Sequence, residues 1–256
     1  MKNLRAIILT ITVMIFSNKI YGQDPMRLWM SYRAQIRVTK EWRISAGQSY
    51  LFSERAEELS STQNVLNIIY RLNSKVNFGM GFQTSKSMTN LNQADRNRVT
   101  ARFNLANNIE NYRISHSFRA EWHSPQRSKY EYRLRYGFRI HNRKLRLPLK
   151  ARPFITNEFH YYLSGDPLWY RDDEGERLVR QAPRGVHAHR ITLGVRIRPF
   201  RRFYTTLSFM RQTEFNAGNK YRSINVVDPR NGRVRRRFNN FNVINISTSY
   251  RINLDK

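Results

Sequence analysis

From Tyr130 to Ile140 the chain alternates without a break. Tyr130, Tyr132, Leu134, Tyr136, Phe138 and Ile140 occupy the even positions; Glu131, Arg133, Arg135, Gly137 and Arg139 occupy the odd ones. A period of two belongs to a β-strand, whose successive side chains point to opposite faces. Such a strand has a greasy side and a charged side, and two architectures accept it. In a soluble sandwich the greasy side meets a core; in a membrane barrel it meets lipid while the charged side faces a polar lumen. The rest of the sequence chooses between them.

The chain begins Met1-Lys2-Asn3-Leu4-Arg5, followed by an apolar run from Ala6 to Phe16 broken only by Thr10 and Thr12, and then by polar residues up to Tyr21-Gly22-Gln23. A basic start, an apolar stretch too short for a membrane helix and a small residue before the break make residues 1–22 a signal peptide cleaved after Gly22. The mature domain is residues 23–256. The chain has no Cys, which rules out a lipid-anchoring Cys, a disulfide framework and a thiolate metal site or nucleophile.

Beyond Phe16 no apolar run reaches the roughly 18 residues of a membrane helix, and mean hydropathy is −0.69. That test is blind to barrels, in which only every second residue of a strand faces lipid. The 14 Tyr and 15 Phe suit the aromatic girdles of a barrel. A formal charge of +28 would ordinarily suggest a nucleic-acid partner. Here the Arg residues are spread singly over alternate strand positions, and export separates the chain from nucleic acid, so none is expected.

The alternation recurs along the chain. Leu28 to Val38 leads through a Lys40-Glu41 turn into Ile44 to Phe52, and Leu66 to Leu72 turns at Asn73-Ser74-Lys75 into Val76 to Phe82. Val99 to Leu105, Tyr112 to Ala120, Tyr130 to Ile140, and a long run from Leu145 to Tyr161 follow. Pro153 lies within that run and removes a ladder donor, so a bend or bulge is expected there. Ile191 to Ile197, Phe203 to Met210 and Ile244 to Ile252 complete the set.

Short turns lie on one side, and polar loops at about Ser53–Gln63, Ser85–Asn97, His123–Ser128, Leu163–Val186 and Glu214–Asn240 lie on the other. The expected fold is therefore an all-β, antiparallel, up-and-down transmembrane barrel of 10–12 strands (by the strand-length rule). Eleven strands are evident, although bacterial barrels normally have an even number. The segment Tyr221–Phe238, turning at Asp228-Pro229-Arg230-Asn231-Gly232, is either a twelfth strand or a hairpin beyond the membrane. A periplasmic N-terminus would also put the short turns outside, against the usual arrangement.

Four motifs carry a family resemblance: Lys40-Glu41-Trp42, Arg152-Pro153-Phe154-Ile155-Thr156-Asn157-Glu158-Phe159, His189-Arg190-Ile191-Thr192-Leu193-Gly194-Val195, and the closing Tyr250-Arg251-Ile252. Together they resemble the outer-membrane barrel family known as domain of unknown function 2490, found mostly in Bacteroidetes. The resemblance covers nearly the whole mature chain. It implies a barrel in the outer membrane of a Gram-negative bacterium and supplies no activity. Barrels of this class usually end on an aromatic residue read by the barrel-assembly machinery, whereas here Ile252 is followed by Asn253-Leu254-Asp255-Lys256.

The expected lumen-lining set is Arg33, Arg37, Arg102, Arg113, Arg119, Arg133, Arg135, Arg139, Arg152, Arg190 and Arg196, with Glu121, Glu131 and Glu158 as its few acids. Like charges in a narrow lumen repel unless carboxylates, water or counter-ions screen them. The set reads first as a wall filled by its own side chains, with Glu158 and Glu131 bridging neighbours. It reads second as a passive channel for anions or small solutes. The expected role is structural or pore-forming, without enzymatic chemistry, metal or cofactor, in a monomer whose partners are outer-membrane lipid, lipopolysaccharide and the assembly machinery.

Other candidates are weaker. The run Arg233, Arg235, Arg236 and Arg237 fits the phosphates of lipopolysaccharide or, more ordinarily, a solvated loop. Asp172-Asp173-Glu174-Gly175-Glu176 lacks calcium-loop spacing and reads as a hairpin tip. A third functional alternative is an outer-membrane lipid acyl-chain hydrolase or transferase using a Ser–His pair at the lipid face. Its candidates are His116, directed at lipid, and His160, His187 and His189. Ser115 and Ser117 flank His116 but point the other way.

Overall fold

The computed structural model describes residues 24–54, 57–145, 147–228 and 231–254. The signal segment and its cleavage point lie outside the described residues. Eleven strands close into one barrel: β1 (Met26–Arg37), β2 (Trp42–Glu54), β3 (Leu59–Arg71), β4 (Val76–Ser87), β5 (Arg96–Ile109), β6 (Tyr112–Ser124), β7 (Tyr132–Asn142), β8 (Arg152–Leu163), β11 (Gly185–Phe200), β12 (Phe203–Glu214) and β15 (Phe241–Asn253). The hairpin β9 (Leu168–Arg171) and β10 (Arg177–Gln181) and the two-residue strands β13 (Val226–Val227) and β14 (Val234–Arg235) stand apart as separate two-stranded sheets. The segment after Tyr221 is thus a projecting hairpin and adds no twelfth strand.

An odd count has one geometric consequence. The first and last strands run the same way, so the seam must be parallel. All twelve residues of β1 pair with β15, from Met26↔Asn242 to Arg37↔Asn253, while the other ten seams are antiparallel. Up-and-down antiparallel order therefore holds everywhere except at the closure. Closure matters because an unpaired backbone group in hydrocarbon costs several kcal/mol. β1 enters from the end that carries the long loops, so its start and the short turns lie at opposite ends of the barrel, and a periplasmic N-terminus would still put the short turns outside.

The short turns are held by side chains that imitate backbone. Thr39 Oγ1 accepts from the N–H of Glu41 and of Trp42, at 3.2 and 3.1 Å. Asn73 Oδ1 accepts from Lys75 and Val76, both at 2.8 Å, and Asn142 Oδ1 accepts from Lys144 and Leu145 at 2.9 and 3.0 Å. These are the local bonds that favour Asn and Thr at turns. The run from Leu145 to Tyr161 is not one strand. A turn at Pro148–Lys150, with Leu149 and Lys150 at φ of 55° and 53°, precedes β8. Pro153 causes no bulge: it pairs with Val195, and the β7 ladder begins one residue later, so its missing N–H faces no partner. The irregularity falls instead at Val186/Ala188 of β11.

The burial pattern is the inverse of a soluble protein. Outward residues such as Leu66 (48% exposed), Met80 (66%) and Leu134 (45%) lie on the open outer surface, while Glu121 (3%), Arg133 (6%) and Glu158 (7%) are buried. A soluble sandwich requires the reverse. Among the described residues no helix is long and apolar enough to cross a membrane; the crossing elements are strands. Among the described residues the buried apolar clusters lie toward the long-loop end, where Tyr130, Tyr162, Ala188 and Ile224 cluster with Phe238, and Met210, Phe241 and Val243 pack against Trp29.

Candidate functional site: a buried arginine–glutamate layer

On β6, β7 and β8 the inward positions bring two carboxylates among guanidiniums. Glu121 receives Arg133 through Nε at 2.7 Å and Nη2 at 2.6 Å, and Arg135 Nη1 at 2.8 Å. Arg98 approaches it at 3.6 Å and His123 at 3.5 Å. Arg135 also donates through Nη2 to Glu158, which bonds His160 Nε2 at 2.7 Å, receives Arg119 at 3.2 Å and has Arg190 at 3.9 Å. Arg135 is therefore a bridge between two carboxylates from different strands. Register places Glu121 opposite Arg133 and Arg119 opposite Arg135, so guanidiniums that would repel across the ladder are held by acids reaching along it. Charge-assisted hydrogen bonds of this kind are shorter and stronger than neutral ones.

Gly137 interrupts the Arg series of β7 for a local reason. It lies opposite Glu158, and a Cβ there would stand 3.2 Å from the Asn157 carbonyl and 3.5 Å from Glu158 Cγ. Its absence leaves space for the Glu158 side chain.

A second group ties the long loop over this layer. Glu214 at the end of β12 accepts from Tyr162 OH at 2.8 Å, from the Asn239 N–H at 2.8 Å and from Lys129 Nζ, while its own N–H donates to Asn240 Oδ1 at 2.7 Å. Ile224, fully buried, is clamped by Asn216, whose amide bonds both its N–H and its C=O, at 2.8 and 2.7 Å. Arg236 Nε donates to the Ser128 carbonyl at 3.0 Å, and Arg235 lies 3.6 Å from Asp228. The basic run is thus partly spent on the protein itself.

The expected lumen residues divide. Glu121, Arg133, Arg135 and Glu158 are buried in the layer, with Arg119 and Arg190 at its margin. Arg102, Arg113, Arg139, Arg152 and Arg196 line a separate cavity of about 590 Å³ toward the short turns. Arg37 lines a 230 Å³ cavity at the short-turn mouth. Arg33 remains solvent-accessible on β1 beside Gly47, where a Cβ would lie 3.3 Å from its own Cβ.

Glu131 is a correction. Its carboxylate accepts from Trp122 Nε1 at 3.2 Å on the outer face, and it bridges no lumen arginine. Arg127 and Tyr130 bond each other's backbones in a tight turn, so β7 begins at Tyr132 and the parity of the preceding residues changes. Tyr130 turns inward, donating no face to lipid: Arg133 Nη1 donates to its hydroxyl at 2.8 Å, and its ring packs 4.5 Å from Tyr162.

Arg98, His123, Tyr130, Lys129, Tyr162, Gln212 and Glu214 belong to the site and were not singled out from the sequence. For Arg98 and His123 the signal was present, since they share strand parity with Arg102 and Glu121. For Lys129 and Glu214 there was none, because a strand end and a loop meet only in the folded chain.

Among the described residues no hydrogen bond joins a histidine to a serine. His116 Nδ1 is 2.9 Å from the Tyr136 hydroxyl, His160 bonds Glu158, His187 Nδ1 bonds the Phe215 carbonyl at 3.2 Å, and His189 bonds Asn157 at 3.1 Å. The acidic tip is a hairpin turn in which Asp172 Oδ1 accepts from the Glu176 N–H at 2.7 Å and Arg171 donates to the Gly175 carbonyl at 2.6 Å.

A closed wall with an apolar exterior and a charged, buried interior defines a transmembrane β-barrel. Within that class the chain belongs to the family described as Protein of unknown function (DUF2490), which matches residues 26–223. No curated protein matches the sequence. Among solved structures it is similar to the NanC porin, with 10% identity, a TM-score of 0.44, and coverage of 88% of this chain and 99% of that one.

Proposed function

We propose that the protein is a monomeric outer-membrane barrel with no enzymatic chemistry, whose lumen is shut midway by its own arginine–glutamate layer. The observation that carries this is Arg135, buried and bonded to both Glu121 and Glu158. The layer to which it belongs separates an upper cavity of about 760 Å³ from the 590 Å³ cavity below, and the two share no lining residue. A wall of this kind resists deformation, because each buried charge depends on its partner's position. Export by the N-terminal signal and docking to outer-membrane lipid and the assembly machinery complete the reading.

The test is a planar-bilayer recording of the purified, refolded chain, with a shift on a gel only after boiling as the check for a folded barrel. Membranes holding the folded protein should carry no steady current. A stable ohmic conductance would overturn the closed wall.

A passive anion channel is the second reading, favoured by the cationic lining on both sides of the layer. It requires conductance in the wild type and a changed ion preference in Arg133→Glu or Arg135→Glu. A lipid acyl-chain enzyme is the third, and it requires altered lipids in a His116→Ala strain.

A further inference from the structure

The two halves of the lumen are built differently, and the half at the short-turn end has a surplus that the wall does not use. Its mouth cavity, about 230 Å³, is lined by ten residues, six of them arginine: Arg37, Arg43, Arg198, Arg201, Arg202 and Arg251. The 590 Å³ cavity above it shares Arg198, Tyr204 and Arg251, so the two form one chamber. Among the described residues the single carboxylate lining that chamber is Glu158 at its inner end, and it is already engaged by Arg135, Arg119 and His160. Among the described residues none of Arg43, Arg139, Arg196, Arg198 and Arg251 forms a salt bridge. A wall that only had to be stiff would gain nothing from this arrangement, because uncompensated like charges repel.

The guanidiniums are also held in place. Those of Arg196, Arg198 and Arg251 gather on one ring, lying 4.4, 5.5 and 4.2 Å from the centroid of Tyr204, and that of Arg139 lies 3.5 Å from the centroid of Phe154. Gly194 leaves the space into which the Phe154 ring extends, since a Cβ there would stand 2.6 Å from its Cζ. Stacking occupies the face of a guanidinium and leaves its edge donors available in a fixed orientation; among the described residues Arg198 alone of the four spends two of them, Nε and Nη2, on the Arg201 carbonyl at 3.1 and 2.6 Å. The buried Nε groups of Arg251 and Arg102 have no hydrogen-bond partner, which is costly unless a ligand supplies an acceptor.

We propose that this chamber binds a small, multiply charged phosphoryl compound, of which inorganic pyrophosphate is the simplest example. Guanidinium forks match the paired oxygens of carboxylate and phosphate alike. The number of convergent arginines selects for the ligand with the higher charge density, since each phosphoryl group brings close to two negative charges. The chamber opens inside the barrel and not onto its lipid face, so the ligand comes from solution. The inference extends the closed-wall reading, which it uses only to say that entry is from the short-turn end.

The experiment is calorimetric titration of the refolded full chain in detergent with sodium pyrophosphate at physiological ionic strength, with sodium chloride of equal ionic strength as the blank. Saturable binding is expected, and Arg198→Gln/Arg251→Gln should weaken it at least about tenfold. Arg235→Gln/Arg237→Gln, which removes the same charge at the opposite end, should leave it unchanged. Absence of saturable heat in the wild type, or equal loss in both variants, overturns the site. The bilayer recording separates this from the closed wall: binding with an open conductance removes only the wall, and a silent bilayer without binding removes only the chamber. The shift on boiling confirms that each variant has folded.

Discussion

The layer and the chamber at the short-turn end are made of the same residue on partly shared strands, yet they are electrostatically opposite. In the layer, Glu121 and Glu158 are buried and each gripped by two or more arginines. In the chamber, arginines of β7, β11 and β15 lean on Phe154 and Tyr204 and form no salt bridge among the described residues. The difference teaches that an Arg-rich interior is not one property. Where a carboxylate lies within reach, arginine is cement; where none does, it is an unsatisfied donor array.

That comparison breaks most readily at the acids. Replacing Glu158 with Gln leaves Arg135 and Arg119 buried without their counter-charge, and should cost about 3–5 kcal/mol. Urea unfolding in lipid vesicles, followed by tryptophan fluorescence, should show a lower midpoint. An unchanged midpoint would mean that the layer is not cement at all.

Glu214→Ala removes the acceptor for Tyr162, Asn239 and Lys129, so the long loop should lose about 1–3 kcal/mol of local anchoring. Limited trypsin digestion should then cut within Arg233–Arg237 faster than in the wild type, with the barrel fragment still resistant. Gly137→Ala presses a methyl against the Asn157 carbonyl and displaces Glu158, which should cost roughly 1–2 kcal/mol in the same unfolding assay.

At the other pole, Arg139→Gln or Arg196→Gln removes a charge that has no ion-pair partner among the described residues. Stability should change by less than about 1 kcal/mol, and in the direction of greater stability. A loss as large as that of Glu158→Gln would erase the distinction between the two halves.

Much of the wall was legible because it is periodic. Arg133, Arg135, Glu121 and Glu158 all sit at strand positions whose parity is set within a few residues, and alternation identifies the strand wherever it runs unbroken. The reading failed where a turn resets parity. Glu131 lies two residues from Arg133 and so should share its face, but the Arg127–Tyr130 turn sends Tyr130 inward in its place. The Leu145–Tyr161 run looked continuous because left-handed residues such as Leu149 and Lys150 leave no trace in a hydropathy pattern. The eleven-strand count was visible, whereas its parallel seam was not.

Local order set by the chain alone comprises two-faced strands, arginines on a single face, and Asn or Thr turns that need nothing beyond their own neighbours. Those features arise from backbone geometry over a few residues. Which arginine meets which glutamate, how β1 finds β15, and where the long loop lands on Glu214 depend on ladders joining residues as far apart in the chain as Met26 and Asn242. Only closure of the barrel fixes those registers. It is register that turns one arginine into half of a buried ion pair and leaves the next without a counter-charge.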